Sequence, residues 1–226
     1  MGMGLEVGRS MGLRVLITAG PTRERVDPVR FLSNRSSGKM GYALAEAAVA
    51  AGHEVVLISG PTGLPRPAGV EFHSVESAAE MLEAVRVELA AGVGLAILAA
   101  AVADYRPVVV AGEKLKKGAE VWSLELERTP DILGSMRGWS YRGGLVGFAA
   151  ETGNLLENAR GKLEAKGCDL IVANDVSRGD IGFEVDENAV TLLFADGRVE
   201  VVEKMSKRAL AEKLIGVCGN LVKEGA

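Results

Sequence analysis

The run Ser33-Asn34-Arg35-Ser36-Ser37-Gly38-Lys39-Met40-Gly41 gathers hydroxyls, glycines and a lysine. It lies between an apolar stretch, Val15-Leu16-Ile17-Thr18, with its Gly20-Pro21 turn, and a helix-favouring run from Tyr42 to Ala48. These residue types suit a phosphate. The first amides of a helix have no partner within it, and the helix dipole is positive at that end. Gly38 and Gly41 leave room for a close ligand. The serines also suit a plain helix cap. Further along, Asp104 follows the small residues Ala99-Ala100-Ala101-Val102-Ala103, and Glu113 to Gly118 holds three lysines, Lys114, Lys116 and Lys117. A basic loop facing a phosphate site could neutralise a triphosphate and its leaving group, and it also suits a solvated charge run. Phe148 and Glu151 close another apolar run, and Lys162 and Lys166 share one helix face. Residue type alone puts Phe148 in the core and leaves both lysines to solvent.

The elements that must position these residues alternate strand and helix. Apolar continuity predicts strands over 14–18, 54–59 and 95–101 and helices over 39–51 and 76–91, with Ala79, Leu82, Val85 and Leu89 along one side of the second helix. This βαβαβ order implies an α/β fold, a Rossmann-like parallel sheet with helices on both faces. Downstream, the pattern predicts a short strand over 121–126, a helix from Pro130, a strand over 144–148, a helix over 155–166 and a strand over 169–173. Apolar runs at 189–194 and 199–202 flank Ala195-Asp196-Gly197-Arg198, a hairpin signal. A helix over 206–222, capped by Ser206, closes the chain. Loops over 21–35, 104–120 and 174–188 follow strand ends, where open α/β sheets bind ligands.

The chain has 226 residues, 48% of them hydrophobic, enough for a substantial core. Residues 1–13 read as a disordered tail and 14–226 as a single domain. With 26 basic and 30 acidic residues the net charge is −4, which argues against broad nucleic-acid binding. No apolar run reaches membrane-spanning length, and the start has no signal-peptide core, so a cytoplasmic protein is expected. Cys168 and Cys218 sit in apolar segments and read as buried free thiols. His53 and His73 are the only histidines, and no metal cluster is visible.

A dinucleotide-binding dehydrogenase would carry G-x-G-x-x-G close behind the first strand. Here 20 residues separate Thr18 from Lys39 without that fingerprint. Gly38-Lys39 is not a P-loop either, because the spacing fails and Met40 replaces the magnesium-binding hydroxyl.

Taken in order, Ile17-Thr18-Ala19-Gly20-Pro21-Thr22-Arg23-Glu24, Asp27-Pro28-Val29-Arg30, residues 33–41 and 100–107, Lys114-Leu115-Lys116-Lys117, Pro130-Asp131-Ile132-Leu133, residues 146–152 and Ala173-Asn174-Asp175-Val176 resemble the phosphopantothenoylcysteine synthetase family, the phosphopantothenate–cysteine ligases of coenzyme A biosynthesis. The resemblance covers nearly the whole chain and is to the bacterial type. It implies that the carboxylate of 4'-phosphopantothenate attacks the α-phosphate of CTP, with Mg2+, and that the amine of L-cysteine then attacks the acyl-cytidylate.

On the matching positions the resemblance implies that Lys114 serves acyl-cytidylate formation, that Asn34 serves the second half-reaction, and that Arg30 holds the intermediate or cysteine. It assigns Ala99, Ala100, Asp104, Lys114, Pro130, Asp131, Ile132, Leu133, Phe148, Lys162 and Lys166 to the nucleotide, and Gly20, Ser36, Ser37, Gly38 and Lys39 to the phosphopantothenate side. No metal ligands are assigned, the triphosphate being expected to hold Mg2+. Thr129 stands where the family often has Asn, and could contact ribose or cap the next helix. The resemblance also implies a homodimer, for which the hairpin over 189–202, with 182–188, is the expected arm. Many bacterial relatives carry a flavin-dependent decarboxylase in the same chain; no flavin is expected here, and both a stand-alone enzyme and a fragment stay open. The rival readings are the same ligase using ATP and a Rossmann-like protein that binds a nucleotide without turnover.

Overall fold

The computed structural model describes residues 12–116, 118, 120–151, 153–175 and 185–224. Of the sequence-based readings, residues 1–11 of the tail, Lys117, Thr152, Val176 and Gly182 lie outside the described residues.

The described elements are, in chain order, β1 (Arg14–Ala19), β2 (Arg23–Arg25), β3 (Phe31–Ser33), α1 (Lys39–Ala50), β4 (Glu54–Ser59), β5 (Val70–Ser74), α2 (Ala78–Ala90), β6 (Leu95–Leu98), β7 (Tyr105–Pro107), β8 (Leu126–Arg128), α3 (Ile132–Ser135), β9 (Gly144–Glu151), α4 (Leu155–Lys166), β10 (Leu170–Asp175), β11 (Glu187–Phe194), β12 (Val199–Ser206) and α5 (Lys207–Glu224). The main sheet has eight strands in the order β12-β11-β10-β9-β6-β1-β4-β5. From β5 to β10 every pairing is parallel, and β11 and β12 add an antiparallel hairpin at one edge. The six parallel strands follow the doubly wound order, which reverses between β1 and β6.

Alternation along the buried strands feeds two cores. Val15, Ile17 and Ala19 of β1 pack with Leu44 and Ala48 of α1 and Leu210 and Leu214 of α5 on one face. Leu16, Val56 and Ile58 pack with Met81 and Val85 of α2, Ile132 of α3 and Leu163 of α4 on the other. Each fully buried Val, Leu, Ile or Met among them contributes about 1.5–3 kcal/mol. Cys168 and Cys218 are free and buried in these cores, as expected, and burial pushes both thiols up to about 12. No described helix is long and apolar enough to cross a membrane.

Several elements depart from the sequence reading. The strand expected over 95–101 ends at Leu98; beyond it the chain keeps single backbone bonds to Thr18 and Gly20 while the Ala100 and Ala103 amides turn to the Thr18 and Thr22 hydroxyls. The strand expected over 121–126 is Leu126–Arg128 instead. Its partner, Tyr105–Pro107, is only three residues long, and the Val108 amide on Glu125 O (3.1 Å) is the last rung. The second helix starts at Ala78, where Ser77 accepts from the Glu80 amide. The helix expected from Pro130 starts at Ile132, capped by Asp131. Ser206 does cap the last helix, accepting from the Ala209 amide at 3.2 Å. The β2–β3 hairpin and β5 were not anticipated. β5 is an edge strand carrying Glu71, His73 and Ser74, and so shows no apolar run.

Candidate active site

Past their last shared rung, β1 and β6 still run side by side. The Ala99 amide donates to Thr18 O (3.2 Å), Ala101 to Gly20 O (2.9 Å) and Thr22 to Ala101 O (3.2 Å). The Ala100 and Ala103 amides donate to the Thr18 and Thr22 hydroxyls at 3.2 and 2.9 Å. The chain leaves β1 toward α1 and β4 and leaves β6 toward β9, so a crevice opens between them. It holds a cavity of about 950 Å³. Ala99, Ala100 and Asp104 line it at the end of β6.

One wall is the segment 34–41. Gly38 starts α1 with φ 79°, and no side chain caps this helix. Ser36 and Ser37 are therefore not its cap; the Ser36 hydroxyl accepts from the Gly38 amide at 3.3 Å. Ser36, Ser37, Gly38 and Lys39 all line the cavity. Gly20 does not. It backs the loop from behind with φ 72°, its Cα 3.4 Å from where a Gly38 Cβ would stand. Asn34 crosses the mouth, its Nδ2 donating to Ala101 O (3.0 Å) and Val102 O (3.1 Å). Lys39 pairs with Asp186 at 2.6 Å and holds that carboxyl below the usual range.

The opposite wall carries Pro130, Asp131, Ile132, Leu133, Phe148, Lys162 and Lys166, so the predicted nucleotide residues converge here. Lys162 Nζ donates to Phe148 O at 3.1 Å. Burial pushes the Asp131 carboxyl up, but the Lys166 ammonium and the Gly134 amide outweigh it and hold it below the usual range. The Thr129 hydroxyl donates to Ala103 O, and its amide to Asp104 O. Asp131, not Thr129, caps the helix, and Thr129 lines the cavity. Phe148 both packs against the core and lines the cavity, and the two lysines, half-buried, line the cavity rather than standing in bulk solvent.

Arg30 and Lys114 do not line the cavity. Lys114 sits on an exposed loop whose next residue is tied at both ends. The Leu115 amide donates to Asp27 Oδ2 (3.1 Å), and the Leu115 carbonyl accepts from the Arg30 guanidinium (3.0 Å). Arg30 also pairs with Asp27 at 2.5 Å and lies 5.0 Å over the Trp122 ring. Asp27 is 2% exposed. The Arg30 guanidinium, helped by the Val29, Leu115 and Arg30 amides, holds its carboxyl well below the usual range against burial.

Sequence reasoning assigned no role to Asn174 or Lys207, and both line the cavity. Asn174 ends β10, and its buried Oδ1 has no hydrogen-bond partner among the described residues. A polar residue closing the apolar run 170–173 was its signal. Lys207 is the first residue of α5 and 6% exposed; burial, then the Lys39 ammonium, push it down to about 8. Nothing local in the sequence marks it.

A model of the family described as DNA/pantothenate metabolism flavoprotein C-terminal domain matches residues 10–221. The chain is 49% identical over 214 residues to the coenzyme A biosynthesis bifunctional protein CoaBC of Bacillus subtilis, covering 94% of this chain and 52% of that one. It thus spans about half the length of the curated relatives it matches. The solved C-terminal domain of a protein of the same description superposes with a TM-score of 0.80 at 44% identity, over 95% of this chain and 97% of that one. The DNA/pantothenate metabolism flavoprotein from Streptococcus pneumoniae gives 0.77 at 26% identity, over 93% and 99%.

Proposed function

The chain belongs to the DNA/pantothenate metabolism flavoprotein C-terminal domain family, and from that premise we propose that it is a ligase of coenzyme A biosynthesis. It joins 4'-phosphopantothenate to L-cysteine through an acyl-cytidylate, using CTP and releasing pyrophosphate and CMP. The observation that carries this reading is one cavity with two unlike walls, an uncapped helix start on one side and Phe148 with two lysines on the other. Its volume is that of a small-molecule site.

In this reading the substrate phosphate lies against Ser36, Ser37, Gly38 and Lys39, where helix amides and dipole favour an anion. The nucleotide lies along Ala99, Ala100, Asp104, residues 130–133 and Phe148, with Lys162 and Lys166 toward its phosphates. The substrate carboxylate oxygen bonds to the α-phosphorus as the bond to the β-phosphate oxygen breaks. A carboxylate needs no general base for this step; it needs its repulsion from the triphosphate screened. Lys114 supplies that charge when its loop closes over the cavity. The cysteine nitrogen then bonds to the acyl carbon, loses a proton, and CMP departs. Asn34, fixed across the mouth, serves this half.

Among the described residues Asp104 and Asp131 are the carboxylates on the cavity wall, and Asp131 already pairs with Lys166. That donor set fits Mg2+ held mainly by phosphate oxygens and water, where it would offset charge on the triphosphate.

The proposal includes a cytoplasmic homodimer working with a flavin-dependent decarboxylase, with no flavin on this domain. β12 is the outermost strand and exposes Val199 and Val201, which supports the hairpin over 189–202 as the dimer arm. Phe31, Tyr105, Val109 and Val121 form a second exposed apolar set around the two small sheets. Sedimentation of Val201→Lys beside Val109→Lys tells which surface holds the dimer.

The test is pyrophosphate release from CTP or ATP with 4'-phosphopantothenate and Mg2+, with and without cysteine. Release with CTP, and amide only when cysteine is added, is the expected result. Release with ATP alone keeps the ligase and overturns the nucleotide. Release with neither leaves a nucleotide-binding protein.

A further inference from the structure

Beside the amino ends of β1 and β4, away from the cavity, five charged or titratable side chains from β1, β4, β5 and α2 meet. Arg14 and Glu54 are the first residues of β1 and β4. Glu71 and His73 lie two apart on β5 and so share a face. Glu88 stands in the last turn of α2. Arg14 donates to Glu54 Oε1 (2.9 Å), Glu71 Oε2 (3.1 Å) and Glu88 Oε2 (2.8 Å). The other oxygens of the last two carboxylates, Oε1 in each, both lie 3.2 Å from His73 Nε2. All three of these atoms fall within 4.8 Å of one another.

We propose that Glu71, His73 and Glu88 bind a divalent transition-metal ion of the zinc class, which staples the edge strand β5 to α2. Three observations carry it. The first is spacing. Tetrahedral zinc with bonds of about 2.0–2.2 Å holds neighbouring ligand atoms about 3.3 Å apart, and two of the three spacings are 3.2 Å. The second is orientation. Arg14 occupies the outer oxygen of both carboxylates and turns the inner ones toward His73, as outer-shell partners do in metal sites. The third is charge. Three carboxylates against one guanidinium leave two negative charges with neutral imidazole, and one divalent ion balances them. Glu88 is 8% exposed and His73 38%, so the site is anchored inside and open outside, with room for a water ligand. An imidazole in the set favours zinc or cobalt over magnesium, which prefers oxygen alone. This reading is independent of the ligase reading.

The experiment titrates nucleotide-free, metal-stripped protein with Co2+, reads visible d–d absorption, competes with Zn2+, and follows melting in the same samples. The expected result is one Co2+ per chain with four-coordinate intensity, displaced by Zn2+. At a hundredfold excess over Kd, Zn2+ raises the melting midpoint by roughly 5–10 °C. His73→Ala loses both the absorption and the melting gain while Mg2+-dependent pyrophosphate release stays as in the parent. Glu71→Gln, on the exposed strand, weakens Co2+ by about tenfold or more. Absence of d–d absorption at millimolar Co2+ overturns the site, and so does absorption that survives in His73→Ala.

Discussion

The Arg30 guanidinium donates to the Leu115 carbonyl at 3.0 Å, across 85 residues of sequence. Because Asp27 binds both that guanidinium and the Leu115 amide, the lysine loop is tethered from its neighbouring residue rather than from Lys114 itself. A tether next to a reactive residue restricts where that residue travels while leaving its side chain to the ligand.

Asp27→Asn keeps the shape of the tether and removes its charge. The loop then samples more positions, and the kcat of pyrophosphate release falls about 10- to 100-fold. The Michaelis constant for CTP moves little, since the nucleotide wall is untouched. An unchanged kcat with the fold intact by circular dichroism shows that the tether has no catalytic consequence.

Lys114→Gln removes one charge from an exposed loop. Pyrophosphate release is lost, by at least about a hundredfold, while the melting midpoint stays within about 1 °C, as for most surface substitutions. Wild-type release rates in this variant remove Lys114 from the first half-reaction.

Asn34→Asp places a negative charge beside the proposed acyl-cytidylate. Activation continues and amide formation stalls, so the intermediate accumulates in a quenched single-turnover reaction. Normal amide turnover without accumulation refutes the assignment.

Lys207 gives a pH dependence with a defined sign. Its folded-state value lies near 8, below the usual lysine value, so it is charged below pH 8 and neutral above. Lys207 stands beside Lys39 on the wall proposed for the substrate phosphate, so affinity for that substrate is expected to be full below that value and to weaken as pH rises through it. Burial of the charge makes the stability sign opposite. The penalty on the folded state is present below pH 8 and fades between pH 8 and 10.5. Lys207→Met abolishes the alkaline rise in the Michaelis constant; a rise that persists assigns it to another group.

Gly41→Ala tests the seating of α1. An added Cβ would stand 2.5 Å from the Ala19 Cβ and 3.2 Å from Thr18 O. The backbone must move, at a cost of about 1–3 kcal/mol, and thermal melting drops by about 3–10 °C. An unchanged midpoint shows that helix and strand can part freely.

The parallel half of the fold was legible because buried strands are continuous apolar runs and their helices carry one apolar side. Strand Glu54–Ser59 and helix Leu155–Lys166 fall where the pattern put them. β5 was not legible, because an edge strand next to a charged cluster alternates polar residues. Val121 to Glu125 looked like a strand and lacks a partner of that length, which only the tertiary structure reveals. At the site, residue types brought the run holding Asn34 and Ser36 forward, and Asp104 at the end of a strand, while Asp131 came only from the resemblance. Lys162, Lys166 and Phe148 looked ordinary, and only the resemblance moved them to the site. His73 and its two glutamates were illegible together because β5 and α2 bring residues 71, 73 and 88 into one place.

The winding of the sheet divides the molecule into two heritable halves. On the β5 side of the seam between β1 and β6 the segment 34–41 builds the wall with the uncapped helix, and on the β10 side residues of α3, β9 and α4 build the wall with Phe148. Most of the two walls comes from separate stretches of the chain, 34–41 and 128–166, with Asn174, Asn188 and Lys207 added from further along. On the proposed assignment, substitutions in the second stretch would retune the choice of nucleotide base while the first stays under selection for the acid proposed to bind there. The proposed division would let a descendant lineage change its energy currency without relearning its substrate.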